Sequence, residues 1–196
     1  MLPCMIDKYG SCDELAQVER YGTDYRIHTV VRPTSPVAIV APHGGGIEIG
    51  TSELAALIAG DEHSLFAFEG LKSYGLNRDL HITSHRFDHP ECLSLVSRCQ
   101  VALGIHGCRG ESHVYVGGLD GELTTLLTDH LNAAGIRSSA EGHQYPGRNP
   151  LNICNRGTRG RGAQIEVTRD LRDASGRERV AHVVRRALAD YVAAYL

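Results

Sequence analysis

The chain has no tryptophan, three phenylalanines and two methionines, and of its 20 basic residues only Lys8 and Lys72 are lysines. It also lacks any apolar run approaching the roughly 20 residues of a membrane-spanning helix. Its first residues, Met1 to Gly10, contain no apolar segment of the kind a secretory leader carries. The expectation is a soluble, unprocessed, cytoplasmic protein with no membrane partner. Six cysteines are present, Cys4, Cys12, Cys92, Cys99, Cys108 and Cys154, but no two form a Cys-x-x-Cys pair. That excludes thioredoxin-like motifs and zinc fingers, and leaves reduced, mostly buried thiols.

What is present suffices for one core. At roughly 150 residues per domain, 196 residues with 42% hydrophobic content predict a single domain over 1–196. The formal charge of −3 is unevenly spread. Between Arg148 and Arg172 lie six arginines and two acids, a local +4 that leaves −7 for the remainder.

Periodicity gives alternating strands and helices. Ser11-x-x-Glu14 reads as a capping box that opens a helix to about Arg20, and Tyr25 to Arg32 alternates like a strand. Val37 to Val40 is apolar throughout, too short for a helix and suited to a central buried strand. Thr51 or Ser52 caps a helix over Glu53 to Ala59, which Gly60 stops. Strands follow at Leu65–Phe68 and Leu80–Thr83, then a helix from Pro90 to about Arg98 and a second buried strand, Val101–Ile105. A short strand at Val114–Val116, a helix over Asp120–Ala134, a strand at Ala163–Thr168 and a helix over Glu178–Tyr195 complete the chain. This alternation predicts a three-layer αβα fold around a mixed, mostly parallel sheet.

In open α/β sheets reactive groups collect beyond the carboxyl ends of the strands. Both apolar strands end in His-Gly, at His43 and at His106. After His43, three glycines allow the sharp turn that brings Glu48 back toward the imidazole. Two imidazoles and a carboxylate form a His2Glu set, the ligand type of a catalytic zinc with one position left for water. His-Gly-Gly-Gly is also the oxyanion loop of serine hydrolases, but that reading needs a Gly-x-Ser-x-Gly elbow. Gly110-Glu-Ser112-His-Val114 fails at its last position. A cysteine nucleophile at Cys108 would need His106 as its base, and metal binding is the better use of that residue.

Taken together, Ala41-Pro-His43-Gly-Gly-Gly-Ile-Glu48 with Gly50-Thr-Ser-Glu53, His81-Ile-Thr-Ser84 with Phe87-Asp88, Gly104-Ile-His106-Gly-Cys108, Val116-Gly-Gly-Leu-Asp120, and Asn152-Ile-Cys-Asn-Arg156-Gly with Gln164-Ile-Glu166 resemble the phage-type poly-γ-glutamate hydrolases. The resemblance runs from about Asp7 to Leu171 in the family's order. It implies a zinc carboxypeptidase-like fold, one Zn2+ per chain held by His43, Glu48 and His106, and hydrolysis of γ-glutamyl amide bonds in poly-γ-glutamate.

The remaining roles follow from need. A carboxylate must take the proton of the metal-activated water and pass it to the leaving amine. Glu166 is the candidate, in a position similar to that of the catalytic glutamate of zinc carboxypeptidases. Each residue of the polymer carries a free α-carboxylate, which calls for guanidinium groups. Arg156 is expected at the substrate or the oxyanion, with Arg109, Arg161 and His85 in binding. An alternative keeps the zinc and changes the substrate to a small N-acyl amino acid or another acidic peptide. The Arg-Gly stretch Gly157 to Gly162 raises a nucleic-acid module, but the net charge of −3, the missing tryptophan and the lack of a basic helix speak against it, so no nucleic-acid partner is expected.

Overall fold

The computed structural model describes residues 7–196; Cys4 lies outside them. Seven strands form one sheet in the order β1-β3-β2-β4-β7-β5-β6. The strands are β1 (Tyr25–Val30), β2 (Val37–Gly45), β3 (Ser64–Gly70), β4 (Val101–Cys108), β5 (Val114–Gly118), β6 (Ser138–Ser139) and β7 (Ala163–Thr168). The centre, β3-β2-β4-β7, is parallel, while β1 and β5 pair antiparallel on either side of it. The mixed, mostly parallel sheet expected from the alternation is present. The helices are α1 (Cys12–Val18), α2 (Thr51–Ala59), α3 (Pro90–Val96), α4 (Gly121–Ala133) and α5 (Ala174–Tyr195).

The period-2 geometry of the strands sorts their side chains into two cores. One face carries Val37, Ile39, Leu103, Ile105 and Ile165 and packs against Leu54, Ile58, Leu127, Val184 and Leu188 of α2, α4 and α5. The other carries Ala38, Val40, Phe66, Phe68 and Ala102, covered by Leu15 of α1, Cys92 and Leu95 of α3, and Leu80, Ile82 and Phe87 from the connecting segment. That gives three layers. Among the described residues no helix is long and apolar enough to cross a membrane. The five described cysteines are free and buried.

Three expectations differ from the structure. Leu80–Thr83 is no strand: a 3-10 turn occupies Asn77–Leu80, and an extended segment follows. Its alternation is real, because Leu80 and Ile82 are buried, but the Ile82 carbonyl is turned toward the His43 ring instead of a neighbouring strand. The last helix begins at Ala174, four residues ahead of Glu178, because the Asp173 carboxylate caps it by accepting from the Gly176 N–H at 2.7 Å. The two-residue β6 has no periodicity to betray it.

Candidate active site

Strand β2 delivers His43 and strand β4 delivers His106 to the same end of the sheet. Gly45 has φ +59°, and a Cβ there would lie 2.6 Å from the Gly70 carbonyl oxygen, so the turn after β2 requires glycine. Glu48 then donates its backbone N–H to the His43 carbonyl at 2.9 Å, and the Thr51 hydroxyl donates to the carbonyls of both residues. His43 Nδ1 lies 3.3 Å from Glu48 Oε1 and 3.2 Å from His106 Nδ1. His43, Glu48 and His106 each offer one ligand atom, all within 4.8 Å of one another.

Outer contacts fix how these groups point. The Ile82 carbonyl, 2.7 Å from His43 Nε2, can only accept, so Nε2 carries a proton and Nδ1 faces the site. Ser84 Oγ, 3.3 Å from His106 Nε2, holds the second ring so that its Nδ1 also faces the site. Glu48 Oε2 accepts from the Gly107 N–H at 2.7 Å. Two buried Nδ1 atoms at 3.2 Å cannot both present lone pairs without a positive charge between them. Burial drives the His106 imidazole down to about 3, with His43 adding to the effect. Burial also pushes His43 down, but the Glu48 carboxylate outweighs it and the net shift is upward. The site therefore accepts one positive charge: a proton on His43 or a metal ion in its place. Separations of 3.2 and 3.3 Å approach the edge, about 3.3 Å, of a tetrahedron with bonds of about 2.0 Å, so the donors fit zinc.

Glu166 lies beside them. It is in register with His106 across the β4–β7 pair and with Tyr115 across the β5–β7 pair. Burial lifts its carboxyl well above the usual carboxylate range, Glu48 adds to this, and Arg172 opposes it. Cys108 also sits here, but burial pushes its thiol up to about 12, so it is protonated and no nucleophile.

The other expected residues divide. Arg109 follows β4 directly and is exposed, three residues beyond His106, and exposed His85 adjoins Ser84. Arg161 is not brought to this end, and the backbone beside Arg156 lies away from it. Gly157 packs against Gln100 and Val101 at the amino end of β4, which carries the backbone of Arg156 with it. Arg161 precedes β7 and pairs with Asp120 at 3.2 Å and Glu122 at 3.5 Å; five residues of extended chain, about 16 Å, separate it from Glu166. The local +4 is no continuous strip either. Arg148 pairs with Glu141, Arg159 bonds the Tyr191 hydroxyl, and Arg172 is buried.

Three groups at the site went unassigned in the sequence. Buried Asp7 accepts from His81 Nδ1 at 2.8 Å and from the Thr83 N–H at 2.9 Å, and the His81 ring stacks on His43 with centroids 4.1 Å apart. The His-Ile-Thr-Ser motif marks one half of this pair; the other lies 74 residues earlier. Tyr145 approaches Tyr115, with ring centroids 5.5 Å apart, and lies close to Cys108 and Glu166, while burial raises its phenol pKa. Arg172 lies beneath Gly107.

Known proteins share this fold. The structure of a bacteriophage poly-gamma-glutamate hydrolase superposes with a TM-score of 0.89 at 30% identity, over 96% of this chain and 99% of that one. Zinc-free YndL gives 0.84 at 33%, over 97% and 100%. A carboxypeptidase A-like protein of Shewanella denitrificans, at 12% identity and a TM-score of 0.50, over 85% of this chain and 60% of that one, shares the fold. The SPbeta prophage-derived protein YoqZ of Bacillus subtilis is 38% identical over 169 residues, which are 85% of this chain and 60% of YoqZ, so the chain spans well under two thirds of that relative. With the model for poly-gamma-glutamate hydrolase matching residues 9–193, the chain belongs to the poly-gamma-glutamate hydrolase family.

Proposed function

We propose that the chain acts as one catalytic unit, a zinc-dependent amidohydrolase that cleaves γ-glutamyl amide bonds of poly-γ-glutamate. The observation that carries this reading is the convergence of His43 Nδ1, Glu48 and His106 Nδ1 within 4.8 Å at the carboxyl ends of β2 and β4. Glu166 lies on the adjacent strand, in register with His106. The family supplies the substrate class, and the zinc-free designation of the YndL structure supports the choice of metal.

Bound by these three residues, zinc would activate a water and polarise the γ-carbonyl. The chain's own groups do the rest. Glu166 takes the water's proton and returns it to the departing α-amine, a role suited to a carboxyl whose pKa is already raised. A cation at His43 and His106 would offset the repulsion from Glu48 and lower that pKa. Ser84 and the Ile82 carbonyl hold both imidazoles with Nδ1 inward. Arg109 and His85, at the mouth, meet the α-carboxylates that each substrate residue carries.

Metal analysis of the purified protein tests this directly. About one zinc per chain, lost together with polymer cleavage in His106→Ala, is expected; full activity in metal-free protein would refute it. Offering poly-γ-glutamate and small N-acyl amino acids side by side decides the substrate. Release of short γ-oligomers supports the polymer.

A further inference from the structure

Arg172 ends the 3-10 turn Asp170–Arg172 that follows β7, and it is 6% exposed. A buried guanidinium ordinarily meets a carboxylate, because an unpaired charge in the interior is costly. This one gives its hydrogen bonds to three backbone carbonyls instead. Nε donates to Val167 at 2.9 Å, Nη2 to Cys108 at 3.4 Å, and Nη1 to Ile49. The choice of acceptors is informative. Val167 is the residue after Glu166, Ile49 the residue after Glu48, and Cys108 stands two beyond His106. One planar fork thus joins the three segments that carry the proposed base and two of the proposed ligands.

The surroundings are shaped around it. A Cβ at Gly107 would come within 2.5 Å of Nη1, so that position has room only for glycine while the guanidinium is in place. The same Gly107 gives its N–H to Glu48 Oε2, so the guanidinium packs directly under the peptide that orients this ligand. Its charge is felt by both carboxylates: Glu48, and less strongly Glu166, favour the charged form of Arg172 against its burial.

We infer that Arg172 is the positioning residue of the site, setting the spacing of Glu48, His106 and Glu166 by clamping the backbone behind each of them. The inference rests on the zinc-hydrolase reading. Lysine could keep the charge there but not the three-way fork, since its ammonium is a point donor on a flexible stem. Supports behind metal ligands typically change affinity or activity 10–100-fold.

The experiment compares wild type, Arg172→Lys, Arg172→Ala and Gly107→Ala, first stripped of metal and then titrated with zinc against a chelating indicator. Arg172→Lys is expected to weaken zinc binding roughly 10–100-fold and to lower kcat on poly-γ-glutamate by a similar factor, with KM within about threefold of wild type. Gly107→Ala should do the same with Arg172 intact, by pushing the guanidinium off its acceptors. Millimolar guanidinium should restore part of the zinc affinity of Arg172→Ala, a rescue that general loss of stability would not permit. A folded Arg172→Lys with wild-type zinc affinity and kcat overturns the inference. If that variant does not fold, Gly107→Ala decides: weakened zinc binding supports the clamp and unchanged binding refutes it. Wild type that binds no zinc would overturn the functional reading and the clamp together, and is seen before any variant is measured.

Discussion

The two ends of the parallel strands are built from similar residues put to opposite uses. At the amino end of β7, Asp120 is fully buried and completely engaged. It caps α4 by accepting from the Leu123 N–H at 3.0 Å, accepts the Tyr191 hydroxyl at 2.6 Å and pairs with Arg161 at 3.2 Å. Tyr191 in turn accepts from Arg159. At the carboxyl end, two imidazole nitrogens face each other at 3.2 Å, and the Glu166 carboxyl, on the strand between β4 and β5, makes no side-chain hydrogen bond among the described residues. Saturated polar groups hold a fold together, whereas unsatisfied ones that converge invite a ligand. Arg161 obeys the same rule, going to where Asp120 and Glu122 already wait, and this is why it serves the wrong end for catalysis.

Breaking each end should therefore give a different kind of loss. Glu166→Gln removes the proposed base with little change in shape. Its kcat should fall roughly 10²–10⁴-fold while one zinc per chain is retained; a variant with more than a tenth of wild-type kcat would remove Glu166 from the mechanism. Asp120→Ala should act the other way. Losing a cap, a buried hydroxyl partner and an arginine partner together costs about 3 kcal/mol. For a chain of this size that lowers Tm by roughly 6–12 °C, with kcat on poly-γ-glutamate unchanged at temperatures where the variant is folded. Calorimetry beside the activity assay separates the two outcomes.

The same contrast explains what could be seen in the sequence. His43, Glu48 and His106 were legible because each lies at a strand end and the apolar runs before them fix where those ends fall. Glu166 lies within β7 rather than at its end, and only the need for a base and the family resemblance pointed to it. The supports were not legible. Ile82 and Ser84 act from a segment whose alternation imitates a strand, and Asp7 reaches His81 across 74 residues of chain. Arg161 was misplaced by local charge: proximity in sequence to Glu166 says nothing about which end of a strand a residue occupies, and its acids Asp120 and Glu122 lie at the amino end of β7.

Two arginines sharpen the comparison at a smaller scale. Arg109→Ala should raise KM for the polymer about tenfold, the equivalent of one charge-assisted contact. Arg161→Ala should leave KM within experimental error, since its partners are Asp120 and Glu122. Steady-state kinetics on both variants checks this, and equal effects would place the polymer across both ends of the sheet.

The smallest effect concerns Asp170, which sits just past β7 at the carboxyl end yet is as fully engaged as Asp120. Its carboxylate accepts from the Ser112 N–H at 2.9 and 3.0 Å, the Ser112 hydroxyl at 2.7 Å and the Thr168 hydroxyl at 2.8 Å. Burial alone would raise its pKa, but these donors win and lower it to about 2. Because the folded value lies below the unfolded one near 3.8, the contribution to stability is complete above about pH 4 and disappears as pH falls toward 2. Asp170→Asn should therefore lower Tm modestly at pH 6 and bring the two proteins together near pH 2.5, if both remain folded there. Asp170 is exposed, so solvent keeps the difference small, within a few degrees at most. A gap between the two melting curves that widened on acidification would mean that Asp170 is held by something other than its ionised form.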